Sequence, residues 1–173
     1  MRKVILGVAV SLDGFIEGPN GEYDWCFTDQ DYGLSDFFSR IDAMFIGRKS
    51  YELMNKIGAD AVPGMPQLTE YVFSNTLSQV KEGALLVNGD IAPQVREIVN
   101  QPGKDIWLFG GSSLVTSLMN IGFVHELWLS VHPIVLGKGK PLFNDIDKRI
   151  GLELLKSKTY DTGLVSLTYS VKS

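Results

Sequence analysis

Residues Asp105-Ile106-Trp107-Leu108-Phe109-Gly110-Gly111-Ser112-Ser113-Leu114 constrain the fold more than any other stretch of the chain. The apolar run is too short to span a bilayer and has the length and bulk of a central parallel strand, covered on both faces. Gly110 and Gly111 remove two side chains where the chain turns, so another group can approach the backbone closely. Ser112 or Ser113 offers a side-chain cap for a following helix that puts Leu114, Val115, Leu118 and Met119 on one face. A helix start behind glycines presents free N–H groups and the positive end of a dipole, which suits an anion. The same residues also describe an ordinary tight strand-to-helix turn. Other parts of the chain weigh between the two readings.

A length of 173 residues fits one domain, 1–173, with a sizeable core. Hydrophobic residues make up 45 %, and no apolar stretch reaches membrane-spanning length. Met1-Arg2-Lys3 runs directly into Val4–Val10 without a small-residue cleavage site, so these residues read as a first strand and not a signal peptide. A net charge of −4 without a basic block argues against a nucleic-acid surface. Cys26 is the sole cysteine, which rules out an intrachain disulfide and fits a cytoplasmic protein. With His125 and His132 the only histidines, no dedicated zinc site is expected.

Val4–Val10 is nearly all apolar, and Gly7 and Ala9 are small enough for a flat ring to lie against the strand. Ser11 to Trp25 reads as a long loop, too rich in Phe15, Ile16, Tyr23 and Trp25 to be disordered, hence an ordered flap over a pocket. Leu34, Phe37, Phe38 and Ile41 predict a helix over Tyr32–Ile41. A strand Ala43–Ile46 leads to Gly47-Arg48-Lys49-Ser50, where two cations open a short helix. Cations there oppose the dipole at roughly 0.3–1 kcal/mol each unless an anion binds, although two solvated surface charges would look the same. Gly58 to Gln67 reads as loop. Strands Tyr71–Phe73 and Ala84–Val87 follow, the first ending at Ser74-Asn75. Asp90 then caps a helix that turns Val95, Ile98 and Val99 inward. At the end of the chain, Leu152–Lys158 and Leu164–Val171 flank Asp161-Thr162-Gly163. Strict alternation in the second segment predicts a half-exposed antiparallel hairpin.

The whole reads as an open α/β sheet, mostly parallel, with an antiparallel C-terminal edge. Ligands of such sheets bind beyond the C-terminal ends of the strands. Four segments fall there: Ser11–Trp25, Gly47–Ser50, Ser74-Asn75 and Gly110–Ser113. Two of them are helix starts suited to phosphate.

In Ser11-Leu12-Asp13-Gly14, Gly47-Arg48-Lys49-Ser50-Tyr51-Glu52, Phe109-Gly110-Gly111-Ser112 and the block Glu126–Phe143, the chain resembles the dihydrofolate-reductase-like superfamily. It is most similar to the reductase domain of bacterial riboflavin-biosynthesis enzymes and its stand-alone relatives. The resemblance implies a mixed, mostly parallel eight-stranded sheet flanked by helices, and an NADPH-dependent reductase of a small pterin- or aminopyrimidine-like substrate. It implies that Gly47, Arg48, Lys49 and Ser50 hold cofactor phosphates, Arg48 pairing the adenosine 2′-phosphate bidentately. Ser74 and Asn75 would border the adenosine, and Gly110, Gly111, Ser112, Ser113 and Leu114 would hold the pyrophosphate on backbone N–H groups. The backbone of Val8 and Ala9 would meet the nicotinamide carboxamide.

On the substrate side, the carboxylate that dihydrofolate reductases place on the first helix has only imperfect counterparts, Asp31 and Asp36, which also read as helix-start or surface residues. Asp13 matches the riboflavin-type motif and is the candidate catalytic contact; the other reading is an aspartate that stabilises its own turn. Trp25 and Phe38 are candidate walls for a flat heterocycle or ordinary core residues. His132 reads as a structural histidine. A non-catalytic NADPH-binding sensor on the same fold is the alternative function, and an exposed Trp128 or the tail hairpin could build a homodimer.

Overall fold

The computed structural model describes residues 1–172, without the side chains of residues 59 and 60. Ser173, the last residue of the expected domain, lies outside the described residues. Across the main sheet the strands run β5 (Leu85–Val87), β4 (Thr69–Phe73), β3 (Ile41–Gly47), β6 (Asp105–Gly110), β1 (Val4–Ser11), β7 (Glu126–His132), β10 (Val165–Val171) and β9 (Leu152–Thr159). From β5 to β7 every neighbouring pair is parallel. β10 is antiparallel to both β7 and β9, which supplies the expected C-terminal hairpin.

Helices cover both faces because the strands are apolar on both. Val4, Leu6, Phe45, Ile106 and Leu108 turn toward α3 (Ile91–Asn100) and α4 (Ser112–Asn120), where they meet Val95, Ile98, Val99, Val115 and Leu118. Their strand neighbours Ile5, Met44, Ile46 and Trp107 turn the other way, toward α1 (Leu34–Arg40) and α2 (Arg48–Ile57), and meet Phe37, Phe38 and Tyr51. Side chains of period two divide each strand between the two layers. Each such buried side chain is worth ~1.5–3 kcal/mol.

Several boundaries depart from the sequence reading for local reasons. The flap contains a strand, β2 (Phe15–Glu17), paired antiparallel with β8 (Lys140–Pro141) in a separate two-stranded sheet. Elements of three and two residues are too short to show alternation. α4 is capped by Gly111, with no side-chain cap, and Ser112 is already its first helical residue, so neither serine caps it. Asp90 does cap α3, accepting a hydrogen bond from Ala92 N at 3.2 Å. The expected loop after α2 opens with a 3-10 turn, Gly58–Ala61. In the tail, β9 is exposed along its whole length while β10 is mostly half-buried. Trp128 is half-buried: it stacks on Phe37 at 4.6 Å and donates to Ser166 Oγ at 2.9 Å. Among the described residues no helix is long and apolar enough to cross a membrane.

Candidate functional site

β4, β3, β6 and β1 are neighbours running the same way, so the four loops singled out above emerge along one margin of the sheet. At its centre two glycine segments touch. A Cβ placed on Gly47 would lie 3.4 Å from Gly111 N. A Cβ on Gly111 would lie 3.6 Å from Ser50 Oγ and 3.9 Å from Lys140 Nζ, both ordinary contacts. Gly110 is joined to Gly111 by a cis peptide bond and has φ +115, a backbone that favours glycine. Gly47 (φ −77, ψ 156) and Gly111 (φ −72, ψ −170) are different: any residue adopts those angles. At Gly111 neither φ and ψ nor contacts with residues beyond its chain neighbours call for a missing side chain. What the glycine leaves is a cradle at the start of α4.

The electrostatics of the cradle are one-sided. α2 begins with Arg48 and Lys49, and neither α2 nor α4 has an acidic residue in its first turn. Among the described residues Arg48 pairs only with Glu52 one turn along, at 3.1 Å, with both partners well exposed. Such pairs contribute ~0.3–0.5 kcal/mol, which leaves the guanidinium available to a better anion. Sequence reasoning missed Lys140, which the β2–β8 sheet brings in from 93 positions along the chain from Gly47. The Leu114 N–H is already committed to Gly111 O at 3.0 Å. The donors at this helix start are therefore those of Gly111, Ser112 and Ser113, which no intrahelical carbonyl can reach.

Beside the cradle the sheet splits. Lys3 O accepts from Ile106 N and Val4 O from His125 N, so the odd residues of β1 turn their backbone toward β6 and the even ones toward β7. The β6 ladder stops at Leu6↔Leu108, whereas the β7 ladder continues to Ser11↔His132. Gly7 O is taken by the indole N–H of Trp107 at 2.9 Å. The next odd residue, Ala9, faces the gap with its N–H and C=O, and Val8 faces β7. Both are half-exposed between buried stretches of the strand. Of the expected pair, only Ala9 turns its backbone groups into the gap. The flat rings against Gly7 are the chain's own, since a Cβ there would lie 3.0 Å from Trp107 Nε1 and 3.1 Å from the tip of Phe37.

The other candidates fare unevenly. Phe38 is buried, its ring 5.9 Å from Trp107, and belongs to the core under α1. Trp25 is half-buried with its edge on His132 at 5.3 Å, and donates to Glu22 O. His132 is structural, as expected: Nδ1 meets Ser130 O at 2.9 Å and Nε2 accepts from Phe27 N at 3.1 Å. Burial pushes its pKa below the usual imidazole value. Asp13 accepts from Ser11 Oγ, Leu136 N and Gly137 N, tying the β1–β2 turn to the loop before β8. The Ser11 hydroxyl, against some desolvation, holds its carboxyl below the ordinary value. These bonds make Asp13 a clamp between the two segments. Asp31 accepts from Gly33 N and Ser35 N at the start of α1, and Asp36 is exposed on it. Ser74 Oγ accepts from Thr76 N and Leu77 N, and Asn75 Oδ1 accepts from Gly89 N; these bonds shape the rim beyond β4.

Residues 2–166 match the model of the RibD C-terminal domain. The uncharacterized protein YyaP of Bacillus subtilis (strain 168) is 44% identical over 177 residues, covering 97% of this chain and 94% of that protein. A solved structure from Shewanella sp. PV-4, named for riboflavin biosynthesis, superposes with TM-score 0.86 at 23% identity over 100% of both chains. Dihydrofolate reductase from Enterococcus faecalis, complexed with NADP(H), superposes with TM-score 0.72 at 17% identity over 99% of this chain and 97% of that one.

Proposed function

The chain belongs to the RibD C-terminal domain family, and from that premise we propose that it is an NADPH-dependent reductase of a small pterin- or aminopyrimidine-like heterocycle. The observation that carries the reading is the cradle at Gly111, a glycine that neither backbone angle nor packing requires, set among cations. The residues present fit a dinucleotide. Gly111, Ser112 and Ser113 would hold its diphosphate on backbone N–H groups. Gly47 leaves room for it, Ser50 Oγ adds a donor, and Arg48 would exchange Glu52 for the 2′-phosphate. Ala9 would fix the carboxamide across the split between β1 and β6, and Ser74 and Asn75 would border the adenosine. Bound there, NADPH would supply a hydride.

The chain's own work is then placement and exclusion of water. Trp107, locked to Gly7 O, makes a rigid floor beside Ala9. Trp25 would wall the substrate from the flap side. The flap is held down by the β2–β8 sheet, the Asp13 clamp and the bond from Leu12 N to Ile134 O, and the segment after it by the Phe27–His132 bond. With Asp13 spent on that clamp, the proton would come from water.

The same commitment of Asp13 favours the second reading, a sensor that binds NADPH without turnover. Calorimetric titration with NADPH and NADH, followed by NADPH oxidation across pterins and aminopyrimidines, tests both. The reductase reading expects tight NADPH binding and turnover of one class. Binding without turnover of any substrate would leave the sensor, and absence of binding would sink both.

A further inference from the structure

Lys140 is the cation nearest the cradle, and its position is imposed by the small sheet. Glu17 and Lys140 are cross-strand partners in the β2–β8 pair. Just before Lys140, Gly139 has φ +151, and a Cβ there would come within 2.2 Å of Glu17 O. A side chain at residue 139 would push the two strands apart, so this glycine holds β8 against the flap. Lys140 then reaches the Gly110–Gly111 turn, with Nζ 3.9 Å from where a Gly111 Cβ would stand. Among the described residues its one ion-pair partner is Glu17 Oε1 at 3.5 Å, too long for a charge-assisted hydrogen bond, with both side chains about a third exposed (38% and 34%). The ammonium is therefore within reach of two anion positions: a loosely held carboxylate on the flap, and the space Gly111 leaves at the start of α4.

Resting on the dinucleotide reading above, we propose that Lys140 is the flap-side ligand of the diphosphate, and that Glu17 is the internal anion it leaves when the coenzyme binds. Arg48 and Lys140 would thus divide the phosphates, Arg48 taking the group that distinguishes NADPH from NADH and Lys140 the group the two coenzymes share. Glu17 competes with the ligand for one cation, so its charge weakens binding. Because Glu17 and Lys140 belong to the strands that fasten the flap, occupancy of the cradle is also felt by the flap.

Calorimetry of the full chain with NADPH, NADH and inorganic pyrophosphate, at low and high salt, tests the division. Lys140→Gln should weaken NADPH and NADH by the same factor, about 10-fold, weaken pyrophosphate likewise, and flatten the salt dependence of each. Lys140→Arg should restore most of the affinity. Glu17→Gln should tighten both coenzymes about 2–3-fold, the opposite sign from a mutation that merely loosens the flap. Thermal midpoints within a few degrees of the parent establish that the variants fold. Unchanged binding in Lys140→Gln, or a loss confined to NADPH, overturns the assignment while the dinucleotide reading stands. If the unaltered protein binds neither coenzyme nor pyrophosphate, the dinucleotide reading falls and the assignment falls with it.

Discussion

The two margins of the sheet are both rich in charge and handle it in opposite ways. Along the margin where the parallel strands begin, the chain closes its own accounts. Arg2 pairs with Asp42, Lys3 with Glu126, and Arg40 with both Asp105 and Glu126. Glu126 is only 4% exposed. Burial alone would raise its carboxyl, but Lys3 and Arg40 outweigh that and hold it below its ordinary value. Along the margin where those strands end, among the described residues Arg48 has only an exposed helical neighbour and Lys140 only a loosely paired carboxylate at 3.5 Å. Glycines stand where side chains would fit. Paired charge around a buried acid keeps a structure together, and loosely paired charge around unfilled space is ready for something brought from outside.

The largest effect should come from filling that space. Gly111→Ala adds a Cβ with only ordinary contacts and should leave the thermal midpoint nearly unchanged, while NADPH affinity falls about 100-fold or more, roughly 2.7 kcal/mol. Retained affinity would show that the margin is not the phosphate site. Next, Glu126→Gln should destabilise by about 2 kcal/mol near neutral pH, because Lys3 and Arg40 lose a charged acceptor. A group whose folded pKa is depressed gives stability that is present above its unfolded value, 4.5 here, and lost as pH falls through the folded one. The variant should accordingly lose part of the acid slope of a melting series and bind coenzyme normally, whereas a change in binding would erase the distinction between the margins. Arg48→Ala should weaken NADPH by about 10-fold and spare NADH; equal losses would detach Arg48 from the 2′-phosphate. The smallest effect concerns His132. Its depressed pKa means that the neutral ring's contribution is intact above the ordinary value of 6.5 and declines as pH drops below it. Protonation removes the Nε2 acceptor of Phe27 N–H, so exchange of that amide should quicken several-fold toward acid, after correction for intrinsic rates. A constant corrected rate would mean that His132 does not latch the flap.

What the sequence made legible followed from periodicity and bulk. The run Ile106–Phe109 became the central strand β6, and the one-faced pattern of Leu114, Val115, Leu118 and Met119 became α4. The alternation of Val165 to Val171 became β10 of the hairpin. What escaped depends on partners remote in sequence. β2 and β8 carry no period because they are too short. Asp13 reads as a local turn residue until Leu136 and Gly137 arrive from 123 and 124 residues away. Lys140 sits in a glycine-rich block with nothing local to mark it as a neighbour of Gly111. The serines after the glycine pair look like caps because serine usually is one; here the helix starts one residue early and Gly111 takes that place.

The place of β1 between β6 and β7 has a consequence for biosynthesis. β1 has no neighbour in the main sheet until chain about a hundred residues further along has been synthesised, since Val4 pairs with Ile106 and Ile5 with Glu126. At ribosomal speeds of 5–20 residues per second the apolar segment Val4–Val10 waits roughly 5–25 seconds for cover. Nascent chains halted before β6 should therefore depend on chaperones, and those carried past β7 should not.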